Sequence, residues 1–198
     1  MYEAETEKSQ LSSSSVITRD EEKRLASVLE QKTALFMRFF LETGCTVSEG
    51  LRFLANYLNT GNIMPEGGTL PGGDILPAGF FPVDIAEGRK RRGSGEIPAR
   101  RVFCRRRVVA ELSAAYTGPL GSSGLPSRGS LTMRLKRASQ AALGKSVTPA
   151  VLRHTCAARL FSAGADLITV SAYLGHASPS VTAALYLDAP GFPLPGRP

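Results

Sequence analysis

Apolar positions along this chain recur mostly every three to four residues, the spacing of helices with one buried face. "TRDEEKRLASVLEQ" predicts a helix capped by Thr18 or Asp20, with acidic residues in its first turn where the helix dipole favours them. "KTALFMRFFLETG" is apolar nearly all round, so it reads as a largely buried helix stopped by Gly44. "TVSEGLRFLANYLNTGN" predicts a third, capped by Ser48 or Thr46, with Leu51, Leu54, Ala55 and Leu58 on one face. Glycine and proline then dominate residues 61–82, which is loop chemistry with a short strand near Phe80. "FFPVDIAEGRKRRGSGEIPARRVF" reads as a β-hairpin, Val83 and Ile85 on one arm and Ile97 on the other.

The second half returns to helical spacing. "CRRRVVAELSAAY" and "LTMRLKRASQAALG" are helices, separated by the loop "TGPLGSSGLPSRGS". Thr148-Pro149 opens a helix carrying Leu152, Ala157, Leu160 and Phe161 and stopping at Gly164. Asp166 caps "LITVSAYL", which stops at Gly175, leaving His176 directly past a helix C-terminus. Ser178-Pro179 starts a last short helix with Val181, Leu185 and Tyr186. The expected fold is mainly α with a small antiparallel β-sheet, an α+β class, and without internal repeats. Residues 1–17 read as a disordered polar lead, 18–190 as one domain, and 191–198 as a flexible tail.

Charge narrows the partner. The 198 residues carry 24 Lys and Arg against 17 Asp and Glu, a net charge of +7. Nine basic residues fall within "RKRRGSGEIPARRVFCRRR", opposed only by Glu96. So many like charges repel unless an anion visits them, and the guanidinium fork suits phosphate. A nucleic acid is the expected partner, with Arg89, Arg91, Arg92, Arg100 and Arg101 as contact candidates.

Cysteine and histidine exclude other classes. Cys45, Cys104 and Cys156 lie far apart, and His154 and His176 are the only histidines, so no metal-ligand spacing exists. No cofactor or metal is expected, and the cysteines read as reduced thiols. "MYEAETEKSQ" is too acidic and polar for a signal peptide. "ALFMRFFL" is too short to span a bilayer and contains Arg38. A cytoplasmic protein with no membrane partner, nucleoid-associated when bound to nucleic acid, is the expectation.

The strongest chemical signal is "TPAVLRHTCAARLFSAGADLITVSAYLGHASPSVTAALY". Its R-H-T block, L-G-H block and tyrosine stand in the order and spacing of the tyrosine recombinases, the phage-integrase type, and the chain resembles that family. Upstream, "TRDEEKRLASVLEQKTALFMRFFLETGCTVSEGLRFL" resembles its opening helices, with the T-G-x-R-x-S-E segment. "KRRGSGEIP" resembles its lysine hairpin, and "SLTMRLKRASQAALG" the helix before the H-x-x-R block.

The resemblance implies a site. The family's tyrosine attacks a DNA phosphate to give a covalent 3′-phosphotyrosine, without ATP or metal. Cationic side chains hold the non-bridging oxygens, where charge builds in the transition state. Carried over, Tyr186 is the nucleophile, Arg153 clamps the phosphate, His176 contacts it, and Lys90, or else Arg91 or Arg92 of the same basic run, protonates the leaving 5′ oxygen. His154 is not among the family's catalytic residues and is expected to bond within the fold.

Two positions depart from the pattern. Thr46 stands where the family has its first arginine, and Ala150 where it has its first histidine. A short hydroxyl supplies neither the charge nor the reach of a guanidinium, and losing one phosphate clamp costs roughly 10²–10³ in rate. The family also has an N-terminal helical clamp domain, and this sequence has only its polar lead there. Several readings follow: a recombinase catalytic domain of weakened activity, acting as a homo-oligomer or with a partner recombinase, or an inactive DNA-binding remnant or accessory of a mobile element. A simple helix-turn-helix reader at "AARLFSAGADLITVSAYLG" ranks below both, and a type IB topoisomerase shares the chemistry.

Overall fold

A computed structural model describes residues 16–60, 79–86, 99–117 and 124–186. Among the described residues, eight helices and two strands follow one another as α1 (Arg19–Val28), α2 (Gln31–Thr43), α3 (Val47–Thr60), β1 (Phe80–Ile85), β2 (Arg100–Arg105), α4 (Arg106–Tyr116), α5 (Arg128–Leu143), α6 (Pro149–Ser162), α7 (Leu167–Leu174) and α8 (Pro179–Tyr186). The class is the one expected, mainly helical with one antiparallel two-stranded sheet.

Helix α2 is the centre. Leu35, Phe36, Met37, Phe39, Phe40 and Leu41 are all buried, because the helix has almost no polar face to offer water. Around it pack Leu25 of α1, Leu54 of α3, Val83 and Val102 of the sheet, Val109 and Leu112 of α4, and Leu131 and Leu135 of α5. Thr18 closes α1 with a full capping box: its hydroxyl accepts from Glu21 N at 3.2 Å and its own N–H donates to Glu21 Oε2 at 2.8 Å. Gly44 ends α2 in the left-handed conformation at φ 60°, and a Cβ there would sit 2.7 Å from Leu174 Cδ2. Only glycine satisfies both demands.

Differences from the expected elements concern boundaries. The return strand of the hairpin is Arg100–Arg105, pairing Val83 with Val102 and Ile85 with Arg100. Val102 and Cys104 point inward at 0% exposure between outward Arg101 and Arg105, a period-two pattern that the arginines obscure. Helix α4 therefore begins at Arg106 rather than at Cys104. Ile97, expected on the return arm, lies outside the described residues, as do residues 1–15 of the lead, the tail and the tip of the basic hairpin. Ile17, expected in the disordered lead, is instead buried in the core and donates its N–H to Thr155 Oγ1 at 3.0 Å. Helix α5 begins at Arg128, because the Ser127 hydroxyl accepts from Ser130 N at 3.1 Å. In α8 the buried positions are Thr182 and Tyr186, while Val181 and Leu185 stay 41% and 36% exposed.

A second, smaller apolar cluster joins α6, α7 and α8 through Ala157, Phe161, Val170, Leu174 and Tyr186. All three cysteines are buried and unpaired. Burial pushes Cys45 and Cys156 up to about 12 and Cys104 higher still. The Tyr173 hydroxyl seams α7 to the rest, donating to Glu42 O at 2.9 Å and accepting from Phe103 N at 3.1 Å.

Candidate active site

The site forms where the ends of α2 and α7 meet the middle of α6. Thr148 caps α6 and Pro149 fills its first turn, which fixes the helix so that Arg153 faces both ends at once. Arg153 Nη1 donates to Gly44 O at 2.6 Å and Nη2 to Leu174 O at 2.8 Å. Both carbonyls lie at helix C-termini, where the backbone dipoles favour a cation. Burial, and then the neighbouring charge of Arg100, lowers the Arg153 pKa. A guanidinium has five N–H donors, and the fold engages two of them here.

Tyr186 lies in the same pocket at 0% exposure. His154 meets its ring edge-on with centroids 5.7 Å apart, and Phe161 does so at 6.1 Å. His176 lies nearly parallel to it, 19° apart at 6.3 Å. The Tyr186 hydroxyl is 3.0 Å from His154 Nδ1, and His176 Nδ1 is 2.7 Å from Thr182 Oγ1. Burial pushes the phenol up to about 12, with Arg153 pulling the other way. Burial, then the Arg153 charge, brings both histidines down to about 4, so both rings are neutral at neutral pH.

Of the residues predicted from the sequence, Arg153, His176 and Tyr186 come together. Lys90, Arg89, Arg91 and Arg92 lie outside the described residues. His154, expected to bond within the fold, does so with the tyrosine itself. Nothing in its spacing announces that; it follows from α8 folding back over α6.

The two arginines of β2 behave differently from surface contacts. Arg101, about one-third exposed, makes a paired hydrogen bond to Asp84 at 2.6 and 2.9 Å on the outer face. The Arg100 side chain is 6% exposed and grips Glu49 through Nη1 at 2.8 Å and Nη2 at 3.1 Å, while its Nε donates to Tyr173 O at 2.9 Å. Burial alone would raise Glu49, but Arg100 overcomes that and holds the carboxylate below its usual range. Removing one partner of such a pair leaves a buried charge, which costs about 3–5 kcal/mol. Arg100 is thus an interior cross-link rather than an exposed DNA contact.

Of the two departing positions, Thr46 has a structural use. Thr46, just before α3, donates its N–H to Glu49 Oε2 at 2.7 Å and its hydroxyl to the same oxygen at 2.9 Å, and accepts from Glu49 N at 3.4 Å. It is the cap of α3. Ala150 is exposed in the first turn of α6. Among the described residues, no three His, Cys, Asp or Glu side chains gather as a metal site, and no helix is long and apolar enough to cross a membrane.

Residues 125–190 match the phage integrase family. No match is found among curated protein sequences. Among solved structures, the XerA recombinase superposes with a TM-score of 0.56 at 22% identity, over 86% of this chain and 59% of that one. The Tn1549 transposon integrase in complex with transposon right end DNA gives 0.60 at 15% identity, over 93% and 63%. This chain therefore spans less than two-thirds of either. The catalytic domain of bacteriophage HP1 integrase gives 0.50 at 18% identity, over 88% of both chains. Residues 125–190 thus match the phage integrase family, on a fold similar to that of the XerA recombinase and the HP1 integrase catalytic domain.

Proposed function

We propose that this chain breaks and rejoins double-stranded DNA through a 3′-phosphotyrosine on Tyr186. The observation that carries the reading is the gathering of Arg153, His154 and His176 around the Tyr186 ring and hydroxyl. Arg153, with N–H donors beyond the two the fold uses, holds the non-bridging phosphate oxygens. The Tyr186 oxygen bonds to phosphorus as the 5′ oxygen leaves. With the latch to His154 released, the phenol gives its proton to water as it attacks, and Lys90 gives a proton to the leaving oxygen. Rejoining runs the same steps in reverse, so no external energy source is needed. Because Tyr186 is wholly buried, α8 moves before attack. On DNA the chain works as a homo-oligomer or beside a partner recombinase, and its place is on the chromosome of the host cell.

The test is a nicked suicide duplex, whose cleaved end diffuses away and traps the covalent adduct. The native protein is expected to give a slow adduct band that Tyr186→Phe abolishes. The second reading, a DNA-binding accessory without cleavage, draws support from the cap role of Thr46 and the sealed Tyr186. Absence of adduct at every protein concentration, with DNA binding intact, decides for it.

A further inference from the structure

The corner where α3 begins has no arginine of its own at position 46, yet a guanidinium reaches it from β2. Thr46 holds Glu49, Glu49 holds both Nη atoms of Arg100, and Arg100 Nε holds Tyr173 O. The next carbonyl along, Leu174 O, is a ligand of Arg153. The residue after that is Gly175, and a Cβ there would meet Arg100 Nη1 at 2.5 Å, Cζ at 2.7 Å and Nε at 2.8 Å. Then comes His176. One side chain therefore spans from the α3 cap to the turn that presents both Arg153's ligand and the histidine over Tyr186.

We propose that Arg100 is a positioning residue of the phosphate site, clamping the turn Tyr173–His176 against the start of α3 and standing in for the guanidinium that Thr46 does not supply. The inference rests on the phosphotyrosine reading above. Arg100 does not touch substrate: its side chain is 6% exposed and its fork is committed to Glu49. It acts through geometry, because a bidentate fork with a third donor fixes three elements in one plane, which a lysine ammonium does not do. It acts also through charge. Burial first, then the charge of Arg153 and after it that of Arg100, hold His176 neutral.

The experiment is a double-mutant cycle on the full chain. Arg100→Lys keeps the charge and removes the fork. Gly175→Ala keeps Arg100 and pushes its guanidinium aside. The left-handed backbone of Gly175 strains an alanine equally in both backgrounds, so that cost cancels in the cycle. Single-turnover adduct formation on the nicked duplex, DNA affinity and the ring resonances of His176 are read together.

Each single variant is expected to form adduct at least ~10-fold more slowly while binding DNA within about threefold of the native chain, as loss of geometry at the reacting centre does. The double variant is expected to be no more than about twofold slower than the worse single one, since both remove the same clamp. Arg100→Lys cleaving like the native protein, or losses that multiply, overturns the proposal. If the native chain forms no adduct, the cleavage reading fails by itself. The His176 resonances then decide: a common displacement in both variants supports the clamp, and native positions in either overturn it.

Discussion

The Tyr186 hydroxyl sits 3.0 Å from Nδ1 of His154, so the last helix is latched to α6 by the atom that would attack phosphorus. A buried hydroxyl with a partner is quiet, and its acidity is suppressed by the same burial. Attack and latching are alternatives for one oxygen.

Removing the latch loosens α8. His154→Ala is expected to lower stability by about 1–3 kcal/mol, the cost of deleting a partner of a buried polar group. Urea unfolding followed by circular dichroism reads it. An unshifted midpoint means that this hydrogen bond does not hold the helix.

Acid destabilises the chain through its two histidines. Both have native values near 4, below the ordinary 6.5 of an unfolded histidine. Between those values the unfolded chain binds protons that the native chain refuses. Stability is thus greatest above pH 6.5 and declines as pH falls. From pH 7 to 5.5 the expected loss is about 1 kcal/mol per histidine. Denaturant titrations at the two pH values check it, and equal or greater stability at 5.5 contradicts it.

Thr46→Arg restores a charge but removes a cap. The hydroxyl that ties Glu49 to the start of α3 disappears, at about 0.5–2 kcal/mol. Thermal unfolding measures that loss. If Arg100 already serves this corner, the variant cleaves the nicked duplex no more than severalfold faster than the native chain. A gain of about 100-fold in adduct rate, the scale of one phosphate clamp, places the missing arginine, and not its substitute, at the heart of the weakness.

DNA affinity is expected to fall steeply with salt. Arg101, Arg105 and Arg107 pair with Asp84, Glu42 and Glu111, whereas the run Arg89, Lys90, Arg91 and Arg92 has no carboxylate within it. Changing those four to glutamine is expected to flatten the slope of log K against log salt by about 0.9 for each phosphate that the chain no longer neutralises. Fluorescence anisotropy across a salt series reads the slope. A slope equal to that of the native chain removes the run from the interface.

Much of the fold is legible in the sequence because its stop signals are unambiguous. Gly44 and Gly175 close helices in the left-handed conformation, and Thr18, Thr148 and Asp166 cap the starts that their positions predict. An ordered spacing marks Arg153, His176 and Tyr186. The return strand is harder to place because its inward Val102 and Cys104 are hidden among arginines, which read as solvated surface. Arg100 reads as a phosphate contact for the same reason. Its partner Glu49 is 51 residues earlier, and sequence pattern carries no information about a pairing so distant. His154 escapes such a reading because only the return of α8 over α6 brings the phenol to it.

The three buried thiols have a practical consequence. Thiolates do the reacting in maleimide chemistry, and sealed thiols with acidities this weak offer almost none at neutral pH. A cysteine introduced at exposed Ser180 on α8 becomes the sole labelled position of an otherwise native chain. A dye there turns the departure of the last helix into a fluorescence signal, with no need to strip the natural cysteines first.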